Sequence, residues 1–93
     1  MIYVITTLKI DHGVIVRERT VGYFLQEHTA VLALQNNWRD IHEEGFYNYA
    51  VLETVQPGIY PLAAARFFEW HDSGFYPCGV PQGLGDVTNF AIG

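Results

Sequence analysis

The chain of 93 residues is long enough for one hydrophobic core but not for two, so we expect a single domain over residues 1–93. Apolar residues make up 49% of the sequence and aromatic residues 15%, so burial can offset the loss of chain entropy without a structural metal or a disulfide. The net charge of −5 and the five scattered Lys and Arg residues argue against a nucleic-acid polymer as partner, because phosphate backbones are bound by clustered cations.

The cysteine count and the first ten residues bear on the location of the protein. Cys78 is the single cysteine, so no internal disulfide can form, and a reducing, cytoplasmic setting is the simplest expectation. Residues 1–10 lack the basic start of a signal peptide and have the character of a strand. No stretch approaches the roughly 18 consecutive apolar residues of a membrane helix, so we expect no membrane contact.

The first quarter of the chain predicts a β-hairpin. Residues 2–10, IYVITTLKI, are rich in β-branched side chains, and residues 14–24, VIVRERTVGYF, have the same character. Residues 11–13, Asp-His-Gly, provide turn chemistry between them. Side chains alternate along a strand, so Arg17 and Arg19 are expected on one face of the second strand.

Residues 26–38 change to a helical period. The apolar residues with this spacing are Ala30, Val31, Leu34 and Trp38. No favourable N-cap residue precedes them, whereas Asn36 and Asn37 suit a helix end because asparagine tolerates left-handed geometry. We therefore expect an amphipathic helix that packs on one face of a sheet.

The second half of the chain predicts further strands. Residues 46–55, FYNYAVLETV, follow the loop 40–45, and the turn Gln56-Pro57-Gly58 is expected to return the chain through residues 59–62. A strand over 65–71 then turns at HDSG, with Phe and Tyr at positions 75 and 76 in the return.

The last seven residues, VTNFAIG, have strand character and are expected to pair back into the sheet. The predicted fold is α+β, with a mainly antiparallel sheet of four to six strands and one amphipathic helix packed on one face.

Aromatic residues concentrate between positions 47 and 76, and they have two interpretations. They can stabilise the sheet through cross-strand pairs, or they can present rings and hydroxyls to a partner or a flat ligand, with an arginine to hold an anionic group. Asn48 sits among them and must be hydrogen-bonded if it is buried, to a loop or to a ligand. The predicted ligand- or partner-binding residues are Tyr47, Asn48, Tyr49, Tyr60, Trp70, Arg17 and Arg19.

The sequence offers no strong catalytic or metal-binding pattern. His28 and His42 stand at opposite ends of the predicted helix, about 20 Å apart at 1.5 Å per residue, and no short ligand pairs of the zinc-site type occur. The alternative function that remains is a small hydrolase or transferase, in which His28 or His42 works with Glu43 or Glu44 as acid–base groups.

Several segments together resemble a family of small uncharacterised bacterial and phage proteins. The residues that carry the resemblance are VGYF at 21–24, DIHEEGFYNYAVLE at 40–53, PGIY at 57–60, FFEW at 67–70 and NFAIG at 89–93. The resemblance covers nearly the whole chain and implies a free-standing domain in a bacterial or phage cytoplasm. It implies no catalytic residue. Small acidic phage proteins often bind host defence proteins or sequester their nucleotide signals, which suggests a counter-defence role by analogy.

These observations favour a non-enzymatic binding protein. We expect it to be oligomeric, with an aromatic face covered by a second copy. We expect its partner to be a protein or a small anionic, nucleotide-like ligand, and we expect no cofactor and no metal.

Overall fold

The computed structural model describes residues 1–58, 64–84 and 90–91. In this part of the chain, five strands form one open antiparallel sheet, and one short helix follows the second strand. The elements are β1 (Ile2–Asp11), β2 (Val14–Phe24), α1 (Glu27–Gln35), β3 (Tyr49–Val55), β4 (Ala64–His71) and β5 (Gly74–Cys78). Their order across the sheet is β2-β1-β3-β4-β5. The predicted α+β class, with an antiparallel sheet of four to six strands and one helix, is confirmed.

β1 and β2 form the predicted hairpin. The two residues that close it, His12 and Gly13, have φ angles of 51° and 76°. Positive φ at both central positions is typical of a type I′ turn, whose twist matches that of the strands it joins. Farther from the turn the register shifts twice, and each shift adds one residue to β2, at Val16 and at Val21. Such bulges increase the local twist of the strand.

α1 is shorter than the predicted range 26–38 because a Schellman motif ends it early. The amide of Asn37 donates to the carbonyl of Leu34 at 3.3 Å, and the amide of Trp38 donates to the carbonyl of Ala33 at 3.0 Å. Asn37 has a φ of 47°, the left-handed geometry that was expected of an asparagine near the helix end. Trp38 therefore lies beyond the helix and does not extend its apolar face.

Buried helix residues share one hydrophobic cluster with four of the strands. The members of this first cluster are Ile5, Ala30, Ala33, Leu34, Ala50, Leu52, Phe68 and Phe75. Gly74 marks the closest approach between β5 and the helix end, since a Cβ at that position would lie 2.1 Å from the carbonyl oxygen of Gln35. Only glycine permits this approach, because any side chain would collide with the backbone.

A second cluster lies on the other face of the sheet. Its buried members are Leu8, Ile10, Val51, Phe67, Leu84 and Phe90. Glu53 is only 1% exposed, and its carboxylate oxygens accept hydrogen bonds from the amides of Phe90 at 3.0 Å and Ala91 at 2.9 Å. These bonds satisfy a buried carboxylate and fasten residues 90–91 to the sheet.

β3 begins at Tyr49, so the strand predicted over 46–55 is wrong at its start. The amides of residues 46 and 47 donate to the carbonyls of Glu43 and His42 at 3.2 and 3.1 Å. These two amides close the preceding turns, and they are therefore not available to a neighbouring strand. β4 and β5 form the hairpin expected from the HDSG turn.

Two predictions fall outside the described residues. One is the return strand at 59–62, which contains the predicted binding residue Tyr60. The other is most of the strand expected over 87–93. Phe90 and Ala91 of that stretch are described, and they lie in a bend and not in a regular strand.

Candidate functional site

The aromatic residues predicted to form one binding surface lie in different surroundings. Tyr47 is 5% exposed, and its ring meets that of Phe46 edge-on with the centroids 4.9 Å apart. Tyr49 packs against the second cluster, whereas Trp70 packs against the first cluster on the opposite face of the sheet. Among the described residues, these side chains therefore do not share one exposed surface.

Asn48 ties three strands together. Its Oδ1 accepts a hydrogen bond from the amide of Ile10, and its Nδ2 donates to the carbonyl of Ile10, both at 2.9 Å. Its backbone amide donates to Leu8 at 3.2 Å, and its carbonyl accepts from the amide of Trp70 at 3.0 Å. β3 supplies no residue opposite Ile10, so the side chain of Asn48 completes the ladder at that point. This role holds the fold together and requires no ligand.

A small polar cluster spans β3, β4 and β5 on the face of the second cluster. The hydroxyl of Tyr49 donates to Oε2 of Glu69 at 3.2 Å, and Nε2 of His71 lies 3.3 Å from Oε1 of the same carboxylate. Burial and then the charge of Glu69 raise the pKa of Tyr49 and also that of the Cys78 thiol. Both groups are thereby kept protonated, which is the opposite of what a nucleophilic thiolate requires.

His42 lies flat on the indole ring of Trp70. The two ring centroids are 3.6 Å apart, and the planes are inclined by 18°. Nε2 of His42 lies 3.4 Å from Oδ1 of Asp40, whereas Nδ1 is buried without a hydrogen-bond partner among the described residues. The backbone amide of His42 donates to Oδ1 of Asn37 at 3.1 Å. The stack therefore anchors the turns that follow α1 onto β4.

Arg17 and Arg19 share one face of β2, but they are distant from the aromatic residues with which they were grouped. β2 is an edge strand, and β4, which carries Trp70, is three positions away in the sheet. This corresponds to roughly 14 Å at the usual strand spacing of about 4.8 Å. The guanidinium of Arg19 instead forms an ion pair with the carboxylate of Glu43.

The acid–base pairs considered for catalysis are also not assembled. His42 is paired with Asp40, and His28 is exposed on α1. In residues 1–58, neither Glu43 nor Glu44 lies within ion-pair distance of either histidine.

A cleft of about 400 Å³ opens between the end of β2 and the turns that follow α1. We refer to it as the cleft. The rings of Phe24 and Trp38 line its apolar side and meet edge-on with their centroids 6.1 Å apart. Trp38 is 43% exposed. Arg19 and Arg39 line its polar side and continue into an open hollow that Glu43 also borders.

The turns that wall the cleft have an unusual backbone. Five non-glycine residues with φ between 47° and 56° lie there: Asn37, Arg39, Asp40, Glu43 and Glu44. We call residues 37–44 the left-handed segment. Left-handed geometry costs an L-residue about 1 kcal/mol, so contacts must hold the segment in place. Two of these contacts are hydrogen bonds that the carboxylate of Asp40 accepts, from Nδ2 of Asn37 at 3.3 Å and from the amide of Glu44 at 3.1 Å.

Phe24, Trp38 and Arg39 line the cleft but are not among the binding residues predicted from the sequence. The spacing of Trp38 from Leu34 indicated a buried helical position, and that indication was wrong because the helix ends before it. The sequence signal for the earlier helix end is the Asn36-Asn37 pair. A tryptophan and an arginine placed directly after a helix end are free to face a cavity.

The described residues include no group of three or more His, Cys, Asp and Glu side chains arranged to hold a metal ion. In the same residues, no helix has the length and apolar character needed to cross a membrane. Comparison of the chain with protein-family models, with curated proteins and with solved structures found no match.

Proposed function

We propose that this is a non-enzymatic binding protein that holds a small, flat, anionic ligand of the nucleotide kind in the cleft. The observation that carries the proposal is an exposed indole, Trp38, and two arginines, Arg19 and Arg39, around one opening. Nucleobases stack on aromatic rings, and guanidinium groups bind phosphate oxygens. A cleft of about 400 Å³ is within the usual range for small-molecule sites.

The charge distribution around the cleft supports an anionic ligand. Arg39 forms no ion pair with any described residue, so its charge is open to a ligand. The nearest carboxylate in sequence, Asp40, is occupied by the amide of Glu44 and by Nδ2 of Asn37. Within the cleft, an incoming anion therefore meets Arg39, unpaired among the described residues, and a carboxylate that is already hydrogen-bonded. Glu43 and Glu44 border the adjoining hollow.

The backbone of the left-handed segment gives independent support. Sparsely populated backbone conformations persist only where the surrounding structure enforces them, and they concentrate at ligand sites and switches. Outside the left-handed segment, the described non-glycine residues with positive φ are His12 and Asp72, which sit in hairpin turns. The concentration of such residues beside the cleft is therefore not a general feature of this chain.

The wider proposal concerns assembly and setting. We infer that α1 covers one face of the sheet through the first cluster, and that the protein forms a homo-oligomer in a bacterial or phage cytoplasm. Large apolar side chains exposed on and after β2 support self-association: Val14, Val16, Tyr23 and Leu25. By analogy with small phage proteins, the bound nucleotide would be a host defence signal. Light scattering tests the assembly, and a monomer at tens of micromolar protein contradicts it.

The ligand proposal is tested by calorimetric titration of the purified protein with AMP, GMP, CMP and UMP. At least one of them is expected to bind, and Trp38→Ala and Arg39→Gln are each expected to weaken that binding by about tenfold or more. Arg17→Gln is the matched control, because Arg17 is an exposed arginine on β2, the strand of Arg19, and does not line the cleft. Binding that is equal in all variants, or absent with all four nucleotides, contradicts the proposal.

A further inference from the structure

The guanidinium of Arg19 is already occupied by a carboxylate of the same chain. Glu43 belongs to the left-handed segment, where its φ is 51° and its amide donates to the carbonyl of Asp40 at 3.0 Å. The side chains of Arg19 and Glu43 are 58% and 40% exposed, so their ion pair is open to water. Exposed ion pairs contribute little to stability and exchange partners readily.

Arg39 provides the contrast. It borders the same cleft and the same hollow, yet it has no ion-pair partner among the described residues. The polar side of the cleft therefore contains one arginine that is open and one that is held. A ligand that engages both arginines must displace the carboxylate of Glu43 or share Arg19 with it.

We infer that Glu43 is a built-in competitor for the anionic group of the ligand, and that a phosphate monoester displaces it from Arg19 whereas a carboxylate does not. The inference rests on the proposed function. A carboxylate ligand carries the same charge as the side chain it displaces, so exchanging one for the other at Arg19 gains little. A phosphate monoester carries a charge between −1.5 and −2 at neutral pH and three acceptor oxygens. One phosphate group can therefore bind Arg39 and also bind the guanidinium of Arg19 more strongly than the carboxylate of Glu43 does.

The test uses two probes that differ only in the anionic group on the 5′ oxygen, AMP and 5′-O-carboxymethyladenosine. Each is titrated into the native chain, Glu43→Gln and Glu18→Gln, with circular dichroism as a check on folding. Glu18 is the matched control, because it is exposed on β2 next to Arg19, and alternation along the strand points it to the opposite face. Its replacement removes the same charge from the residue next to Arg19 without touching the ion pair.

The native chain is expected to bind AMP more tightly than the carboxylate. Glu43→Gln is expected to strengthen binding of both probes by up to about fivefold, the upper end for one exposed ion pair. The gain should be of similar size for both probes, because each is relieved of the same competitor, and Glu18→Gln should change either affinity by less than about twofold.

The possible results separate this inference from the proposed function. If the native chain binds AMP and Glu43→Gln behaves like Glu18→Gln, the competing role of Glu43 is contradicted, while the proposed binding function stands. If only Glu43→Gln binds the probes, the competitor is supported and the proposed function of the native chain is contradicted. If no variant binds either probe, both are overturned.

Discussion

The left-handed segment and the start of β3 follow each other in the chain, but their polar side chains have different partners. Around β3, Asn48 bonds the backbone of Ile10, and the buried carboxylate of Glu53 bonds backbone amides. Beside the cleft, Arg39 forms no ion pair with a described residue, and Arg19 has an exposed and exchangeable partner. A polar side chain whose partner is its own backbone supports the fold, whereas one that faces an opening is available to a ligand. Changes at the two regions should therefore separate stability from binding.

The largest effect on stability is expected at Glu53. In Glu53→Gln an NH₂ group replaces one of the two acceptor oxygens, so a buried donor faces the amide of Phe90 or Ala91. We expect a loss of about 2–3 kcal/mol in the free energy of unfolding, the usual range for a hydrogen bond to a charged group. Urea unfolding followed by circular dichroism measures it. The exposed Glu18→Gln should stay within about 0.5 kcal/mol of the native chain. Equal stability of the two variants would show that the hydrogen bonds of Glu53 do not stabilise the fold.

A slightly smaller loss is expected for Asn48→Ala. Both backbone groups of Ile10 lose their partner, which should lower the free energy of unfolding by about 2 kcal/mol. Asn36→Ala is the control, because its side chain makes one exposed hydrogen bond, to the carbonyl of Leu32 at 2.9 Å. The folded fraction of Asn48→Ala should bind mononucleotides like the native chain. Weakened binding without a loss of stability would place Asn48 in the ligand site and show that it does not serve the fold.

Trp38→Ala tests the other side of the comparison. Trp38 is 43% exposed, so its removal should cost about 1–2 kcal/mol in stability, while mononucleotide binding is weakened. Thermal unfolding and calorimetric titration of the same sample give both quantities. A stability loss as large as that of Glu53→Gln would identify Trp38 as a core residue and remove the aromatic wall from the proposed site.

The smallest effect is expected at Cys78, which belongs to neither region. Burial and the charge of Glu69 raise the pKa of its thiol, so the thiolate fraction at a given pH is lower than that of a free cysteine. Alkylation by iodoacetamide should be slow at neutral pH and should accelerate only as the pH rises through that raised pKa. Glu69→Gln should shift the rate profile to lower pH, whereas Glu44→Gln should not. Identical profiles in all three proteins would exclude the influence of Glu69.

The sequence predicts the elements whose signals are local. β-branched runs and the DHG and HDSG turns locate β1, β2, β4 and β5 within one or two residues. The start of β3 is missed because nothing in a glutamate predicts the positive φ of Glu44, a conformation that glutamate seldom adopts. The turns closed by the amides of Phe46 and Tyr47 therefore replace the strand that the composition of these two residues predicts.

The candidate site is harder to predict, since it depends on the order of strands. Arg19 and Trp38 line one cleft because β2 lies at the sheet edge next to the turns that follow α1. Periodicity contains no information on that order. The concentration of aromatic residues suggests a shared surface of Tyr49 and Trp70 with Arg19, although they lie in other strands, and the helical period places Trp38 on the helix.

The two bulges in β2 have a consequence for any assembly of this protein. An outer strand that is kinked at Val16 and again at Val21 offers no long straight row of amides and carbonyls for another chain to continue. Copies of the molecule should therefore associate through side chains and keep separate sheets. Hydrogen–deuterium exchange at the outward amides of β2 should then be as fast in an oligomer as in a monomer, and fibrous aggregation should be slow.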